Sequence, residues 1–547
     1  GTLTRVGDYT ITFSNIANWT GGLFEDTFVI KEGAEITGTI DGGLDYGNNL
    51  DYSNYITTPI TINLLNGTAT NVGGLMHIHG IVSGNESMIE GGAGDDAFYV
   101  GSSHYVIIDG GEGTNTLGVS GDNNRWDILG ENEGTVSGGD LENNITFSRI
   151  QNLTGGMSND RFVFDDAGSI ESIDGGGGTN TIEGFDVSTV WKIDGSYAGS
   201  LNPNGTGEIG FVNIFSLEGQ TGDDGFLFYD GGSIGSIDGG DGANSLSYAN
   251  YTGSVSINLE TSEATGIDTT FSSIDDFTGN GTDTTVTGSD AAAVWTITGD
   301  YAFNDGSNTF TDVTGIIGGS FEDTFVFDGH YQLDSISGGG GSNIINGPEA
   351  DTGEAVEWTV SSQYEGTLTP FGKSAVSYQE IQTVNGMNVN DGVNRLTRTG
   401  GGDITWNLTD PYEGSAGLLV DFTGMQKVAG SAAGNDRFVF TDSFQFSAAD
   451  AAIDGNGGTN AIEGPGVSTV WKIDGSYSGS LNPNGAGETK FVNISSLQGQ
   501  TGNDIFSFYD GGTIGSIDGG DGANSLSYVN YTGSVSINLE TSEATGI

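Results

Sequence analysis

Short stretches of alternating apolar and polar residues recur along this chain, and turns rich in glycine, aspartate and asparagine bound them. No apolar period of 3.6 residues persists. One kind of turn is acidic and runs into an aromatic strand. In GGAGDDAFYV from Gly91 and GGMSNDRFVF from Gly155, alternation places Phe98 and Val100, or Phe162 and Phe164, on one side of a strand. The pattern returns from Gly21, Gly219, Gly318, Gly434 and Gly499, which aligns Phe226 with Phe98 and Phe162. A second turn ends in asparagine, as in IDGGGGTNTI from Ile173 and its relatives from Ile108, Ile237, Ile336, Ile453 and Ile517. A third pattern reads aromatic-x-x-Ile-x-x-apolar-x-Gly, from Phe13, Phe147, Phe211 and Phe491 and, with Tyr first, from Tyr378. Upstream of it often stands a strand with Trp and, six residues on, Tyr: Trp191/Tyr197, Trp295/Tyr301, Trp358/Tyr364, Trp406/Tyr412 and Trp471/Tyr477. That spacing reads as one recurring packing position, with an aromatic strip for sugar stacking as the alternative.

These pieces combine at two scales. Asp160 to Asn180, Asp224 to Asn244, Asp323 to Asn343 and Asp504 to Asn524 each span about 20 residues, the length of one solenoid coil. Units of about 65 residues hold about three coils, and the text from Ile173 to Gly266 returns almost unchanged from Ile453 to Gly546, about 280 residues later. The pattern predicts an all-β solenoid, a parallel β-helix or β-roll with Phe, Val, Ile and Leu stacked inside. It is expected to run continuously over residues 1–547, with sub-units near 1–124, 125–188, 189–293, 294–404, 405–468 and 469–547. Antiparallel sandwiches are the alternative, but their hairpin turns recur about every 8–12 residues. The chain begins at Gly1 without Met and stops inside a repeat, so it is expected to be a segment of a longer polypeptide.

Charge narrows the function. The 547 residues include 73 acidic and 13 basic side chains, a formal net charge of −60. That sign argues against nucleic acid and anionic membrane as partners and favours cations or saline surroundings. There is no cysteine, which excludes disulfides and thiolate metal sites. The 97 glycines do not follow the every-third-residue rule of collagen, and the many branched and aromatic residues argue against simple disorder. No apolar run is long enough to insert in a bilayer.

The segment Gly91-Gly92-Ala93-Gly94-Asp95-Asp96-Ala97-Phe98-Tyr99 resembles the calcium-binding nonapeptide of the RTX, or haemolysin-type, repeat family. Gly219, Gly222, Asp224 and Phe226 keep most of its positions, as do Gly499, Gly502, Asp504 and Phe506. The resemblance implies a secreted bacterial β-roll protein at the cell surface, with Ca²⁺ held between turns. Its candidate ligands here are Asp95, Asp96, Asp160, Asp223, Asp224, Asp323, Asp436 and Asp504, with Asp109, Asp174, Asp238, Asp454 and Asp518 from the adjoining turns. The wider layout is similar to giant secreted adhesins, which implies a structural stalk, surface-layer or filament segment without enzymatic activity, and self-association or surface polysaccharide as partners. Chelation is then expected to lower the melting temperature. The chain departs from the family pattern in three ways. No nonapeptide follows another directly, Asn stands where the family carries Asp in the next coil, and Phe24 and Phe321 replace a motif glycine. The competing reading is that these Asp and Asn side chains hydrogen-bond the turns themselves.

Other constellations are weaker. His77 and His79 share a strand face, but no third ligand accompanies them. Arg395 and Arg398, in a stretch that breaks the repeat rhythm, read as a solvated irregular loop. They are also the place to look for catalysis if the chain were instead a polysaccharide-binding or polysaccharide-degrading β-helix protein.

Overall fold

A computed structural model describes all residues except 1, 6–8, 13, 24–25, 44–47, 53, 56–57, 59, 64–65, 77–86, 102–105, 139–140, 142–143, 206, 389–391 and 442–451. Phe13, Phe24, His77 and His79 lie outside the described residues. The described chain is all-β, with long, mostly parallel sheets and no helix, an arrangement consistent with a β-solenoid. It forms two compact units, Gly1–Gly253 with Ser262–Thr278, and Ser254–Thr261 with Gly279–Ile547.

Glycine turns every few residues leave strands too short to do more than cross the molecule once. In the first unit successive strands therefore alternate between two sheets. Phe162, Ile182, Leu217 and Ile237 are parallel neighbours in one sheet. Phe98, Leu117, Leu153, Ile173 and Phe211 form the matching ladder in the other. All nine side chains are buried, so the in-out alternation of the sequence is the in-out alternation of the fold. Phe226 is buried in the same way.

The Trp-containing segments do something different. Thr189–Gly195, Ala198–Pro203 and Ile209–Val212 form an antiparallel meander that stays within one sheet. Asn124–Gly130, Glu133–Gly138 and Ile145–Ser148 form another, in the opposite sheet. From the acidic turn at Gly91 to the one at Gly155 the chain visits the sheets five times: Ala97–Val100, Val106–Asp109, Thr116–Val119, the meander, and Asn152–Thr154. Five crossings make two and a half coils, where the sequence reads as about three. The odd number of crossings sends the acidic turns at Gly91, Gly155 and Gly219, and the Trp126 and Trp191 meanders, to alternate sides. Each meander adds two strands to one sheet, so the alternation keeps the two sheets level. The second unit repeats it, with the Trp295 and Trp406 meanders in one sheet and the Trp358 and Trp471 meanders in the other.

The Trp–Tyr spacing is the meander's first hairpin. The indoles of Trp126, Trp191, Trp295, Trp358, Trp406 and Trp471 are fully buried, and four of them stack on the strand that follows an acidic turn, as in Trp191 on Phe226 at 5.8 Å. The Tyr six residues on occupies the left-handed turn position, with φ of 53° at Tyr197, 60° at Tyr364 and 54° at Tyr477. Its role is thus in the turn, not in a shared aromatic strip. The strain, about 1–2 kcal/mol at each site, is held by neighbours: Tyr197 N–H donates to Ser233 O at 2.8 Å, and Ile214 N–H donates to Tyr197 O at 3.1 Å. Arg395 and Arg398 lie in a regular strand, Val393–Arg398, paired with its neighbours on both sides, and not in an irregular loop. The sequence rhythm breaks there because a meander follows after fewer crossings than elsewhere.

Two residues past the hairpin Tyr, Gly199 lets the Phe211 ring lie across the strand. A Cβ there would sit 1.9 Å from Lys192 O and 2.9 Å from the ring. Gly199→Ala is expected to cost about 1–3 kcal/mol from overpacking, read as a lower urea midpoint. Gly207→Ala, whose Cβ meets nothing within 4 Å, is expected to leave the midpoint unchanged.

Candidate functional site

The sequence-nominated residues lie in the stacked turns, and they separate into three positions. Asp96, Asp160, Asp224, Asp323, Asp436 and Asp504 point inward and are 1–2% exposed. At Asp160, Oδ2 accepts the N–H of Gly156 in its own turn at 2.6 Å, and Oδ1 accepts the N–H of Asn124 in the preceding layer at 2.8 Å. Asp96 receives Gly92 and Ile60 at 2.7 and 2.8 Å, Asp323 receives Gly319 and Ala293 at 2.8 and 2.9 Å, and Asp436 receives Ser431 and Ile404 at 2.6 and 3.0 Å. This position needs two acceptors, which a carboxylate supplies and an amide does not.

The Asn of the next coil answers with the complementary set. Asn180 Oδ1 accepts the backbone N–H of Asp160 at 2.8 Å, and its Nδ2 donates to Gly177 O at 3.0 Å and to Asn213 O, one layer further on, at 2.9 Å. Asn115, Asn244, Asn343 and Asn460 repeat both halves, and Asn524 repeats the acceptor half with Asp504. One acceptor and two donors define asparagine. Each of these pairs except Asp504–Asn524 therefore ties four successive layers through hydrogen bonds, each worth about 0.5–1.5 kcal/mol, or about 1.5–3 kcal/mol when the acceptor is charged. The substitution of Asn for the family's Asp, noted in the sequence, is what this geometry requires.

The residue before the buried Asp forms a second, outer rung. Asp95 Oδ1 accepts Thr114 N–H at 2.8 Å and Asp223 Oδ1 accepts Ala243 N–H at 2.8 Å. Asn159, Asn435 and Asn503 do the same for Thr179, Thr459 and Ala523. A single acceptor suffices, so Asp and Asn interchange. Asp109, Asp174, Asp238, Asp454 and Asp518 take the third position, half-buried or exposed. Each accepts the N–H two residues on in an Asx-turn, for example Asp174 from Gly176 at 2.9 Å. Asp174 and Asp454 also accept Nδ2 of Asn213 and Asn493, both at 2.7 Å, and Asp109 pairs with Arg149.

A calcium cage needs six to eight converging oxygens. The inner carboxylates instead face backbone N–H groups, and among the described residues no three acidic or histidine side chains converge. The turns in this form do not fit a caged ion. A shallow depression of about 240 Å³ in the second unit, beside Thr285, Ser335, Ser337, Ser377, Tyr378 and Gln379, contains no acid, base or histidine. Arg395 is exposed, opposite Glu357 and Lys427 on adjoining strands.

Sequence reasoning missed the link between the ladder and the core. Asn394 occupies the inner Asp position beside Trp358, and its Oδ1 accepts Trp358 Nε1–H at 3.3 Å. The signal was an Asn two residues before Leu396, the residue opposite Trp358. Thr284 and Thr314 replace the Asp–Asn pair elsewhere, with Thr284 N–H donating to Thr314 Oγ1 at 3.0 Å. Compared with protein-family models and with curated proteins, the chain matches none.

Burial pushes the carboxyl groups of Asp96, Asp160, Asp323, Asp436 and Asp504 above the usual carboxylate range, against the pull of the N–H donors. Asp224 is pushed up to about 7, by burial and then by Asp223. Oδ2 of Asp224 and of Asp504 has no hydrogen-bond partner among the described residues. Asp160→Asn and Asn180→Asp are each expected to cost about 1–3 kcal/mol in urea unfolding, whereas Asp504→Asn is expected to be near neutral because no N–H opposes its second oxygen. A pKa raised by folding gives stability that is complete below the ordinary carboxylate range and lost as pH rises through the folded value. Thermal melts are therefore expected to be higher at pH 5 than at pH 8, with a smaller difference in the Asp224→Asn, Asp504→Asn double variant.

Proposed function

We propose that this chain is a structural segment of an extracellular repeat protein, a stalk, surface-layer or filament element whose work is mechanical. The observation that supports this reading best is the use of the turn side chains. The residues that looked most like ligands are turned inward and tie each coil to its neighbours, which is how a solenoid gains resistance to fraying and pulling. The finer architecture we adopt is a two-sheet β-roll with coils of about 20 residues, units of about 65 and a super-repeat of about 280. A location outside a bacterial cell rests on the family resemblance. A second copy of the chain and a matrix polysaccharide are the partners it admits.

Calcium enters this reading as a loosely held counter-ion. Asp95, Asp109, Asp174, Asp223, Asp238, Asp454 and Asp518 are exposed or half-buried on a chain of net charge −60, where mobile cations relieve repulsion between like charges. Melting at constant ionic strength is expected to respond equally to Ca²⁺ and Mg²⁺ and to change little on chelation. A large loss on chelation restored by Ca²⁺ alone would replace counter-ions with caged ions. Incubation with acidic and neutral polysaccharides is expected to release no new reducing ends or unsaturated products. Release that disappears in Arg395→Ala would overturn the structural reading in favour of an enzyme.

A further inference from the structure

One loop of the second unit makes contacts that stand outside the ladder. Between strands Glu365–Thr369 and Val376–Gln379, the strap Pro370–Ser374 folds back on earlier layers at three points. Lys373 Nζ reaches both carboxylate oxygens of Asp300, at 2.8 and 2.7 Å. Ser374 N–H donates to Gln332 Oε1 at 2.8 Å. Phe371 N–H donates to His330 Nδ1 at 3.0 Å, and the other nitrogen of that ring, Nε2, lies 3.0 Å from Glu354 Oε2.

The chemistry of the ring fixes its state. An Nδ1 that accepts a backbone N–H carries no proton, so the docked imidazole is neutral, with its proton on Nε2 facing Glu354. A second proton must go to Nδ1, where it would stand against the Phe371 N–H. We propose that Pro370–Ser374 is a pH-operated clasp, docked while His330 is neutral and released at its Phe371 end when His330 is protonated.

Glu354 faces the ring directly, and its Oε2 also accepts Asp351 N–H at 3.1 Å. Asp328 and Asp334 flank His330 on its own loop, and Lys373 lies on the strap. The Lys373 contact holds Asp300 below the usual carboxylate range, so that tie does not titrate in the same window. The strap consequently hinges about Lys373 and does not come away. The Ser374 N–H bond to Gln332 lies on the far side of that hinge and stays made.

Hydrogen–deuterium exchange of the whole chain, corrected for the intrinsic pH dependence of exchange, tests the clasp. Protection at residues 370–374 is expected to fall about tenfold or more per protonation-coupled step between pH 7.5 and pH 5, while protection in the core strands holds or rises. His330→Asn, whose Oδ1 accepts the Phe371 N–H at any pH, is expected to keep the strap protected at both pH values. No fall in the unmodified chain would overturn the proposal, and so would an equal fall in His330→Asn. Lys373→Ala gives a second reading that does not depend on His330→Asn folding. It is expected to deepen the acid-induced loss, and an unchanged loss would contradict the hinge.

Discussion

At six of the stacked glycine turns the governing constraint is the buried pairing of one carboxylate with one amide. A turn that carries the chain from sheet to sheet leaves several N–H and C=O groups without strand partners, and burying them unpaired costs about 1–3 kcal/mol each. The inner Asp takes two of the N–H groups, and the Asn of the next coil takes one N–H and two carbonyls. Where both N–H groups are engaged, as at Asp160, neither residue can stand in for the other, because the count of donors and acceptors differs. Coil stacking is in this sense encoded in polar side chains as much as in the apolar ladders, and the price is a row of buried carboxyl groups with raised pKa values.

The ladder and the core are coupled through tryptophan. Each meander Trp lies in the strand beside the one that follows an inner Asp, or Asn394 in one case, and four stack on its aromatic residue. Where Asn394 replaces Asp the indole N–H finds the side-chain oxygen, while Nε1 of Trp126, Trp191, Trp295, Trp406 and Trp471 has no partner among the described residues. The meander itself solves a different problem. It inserts antiparallel strands without ending the parallel stack, and its strict alternation of side keeps two sheets the same height.

Much of this was readable from the chain. Strand alternation correctly turned Phe98, Phe162 and Phe226 inward, and the 20-residue interval from Asp160 to Asn180 is one coil. The half-coil was not readable. The first hairpin of each meander places Tyr, not Gly or Asn, in the left-handed position, so no turn residue announced it, although Asn132 after Trp126 does. Arg395 and Arg398 looked irregular because spacing alone cannot separate a missing crossing from a loop. At the turns, GGxGxD spacing is compatible with either a caged cation or a hydrogen-bonded carboxylate. The discriminating signal was the recurrence of Asp at 96, 160, 224, 323, 436 and 504 beside the variation one residue earlier, Asp at 95 and 223, Asn at 159, 435 and 503, and Glu at 322.

The most direct test is a crystal structure grown with Ca²⁺ in excess, with anomalous data to locate the ions. The account requires Asp160 Oδ1 and Oδ2 to remain on the N–H groups of Asn124 and Gly156, with Asn180 on Asp160 and any calcium confined to the outer carboxylates. Anomalous density between the turns, with the Asp160 carboxylate rotated away from those N–H groups to meet it, would contradict the account.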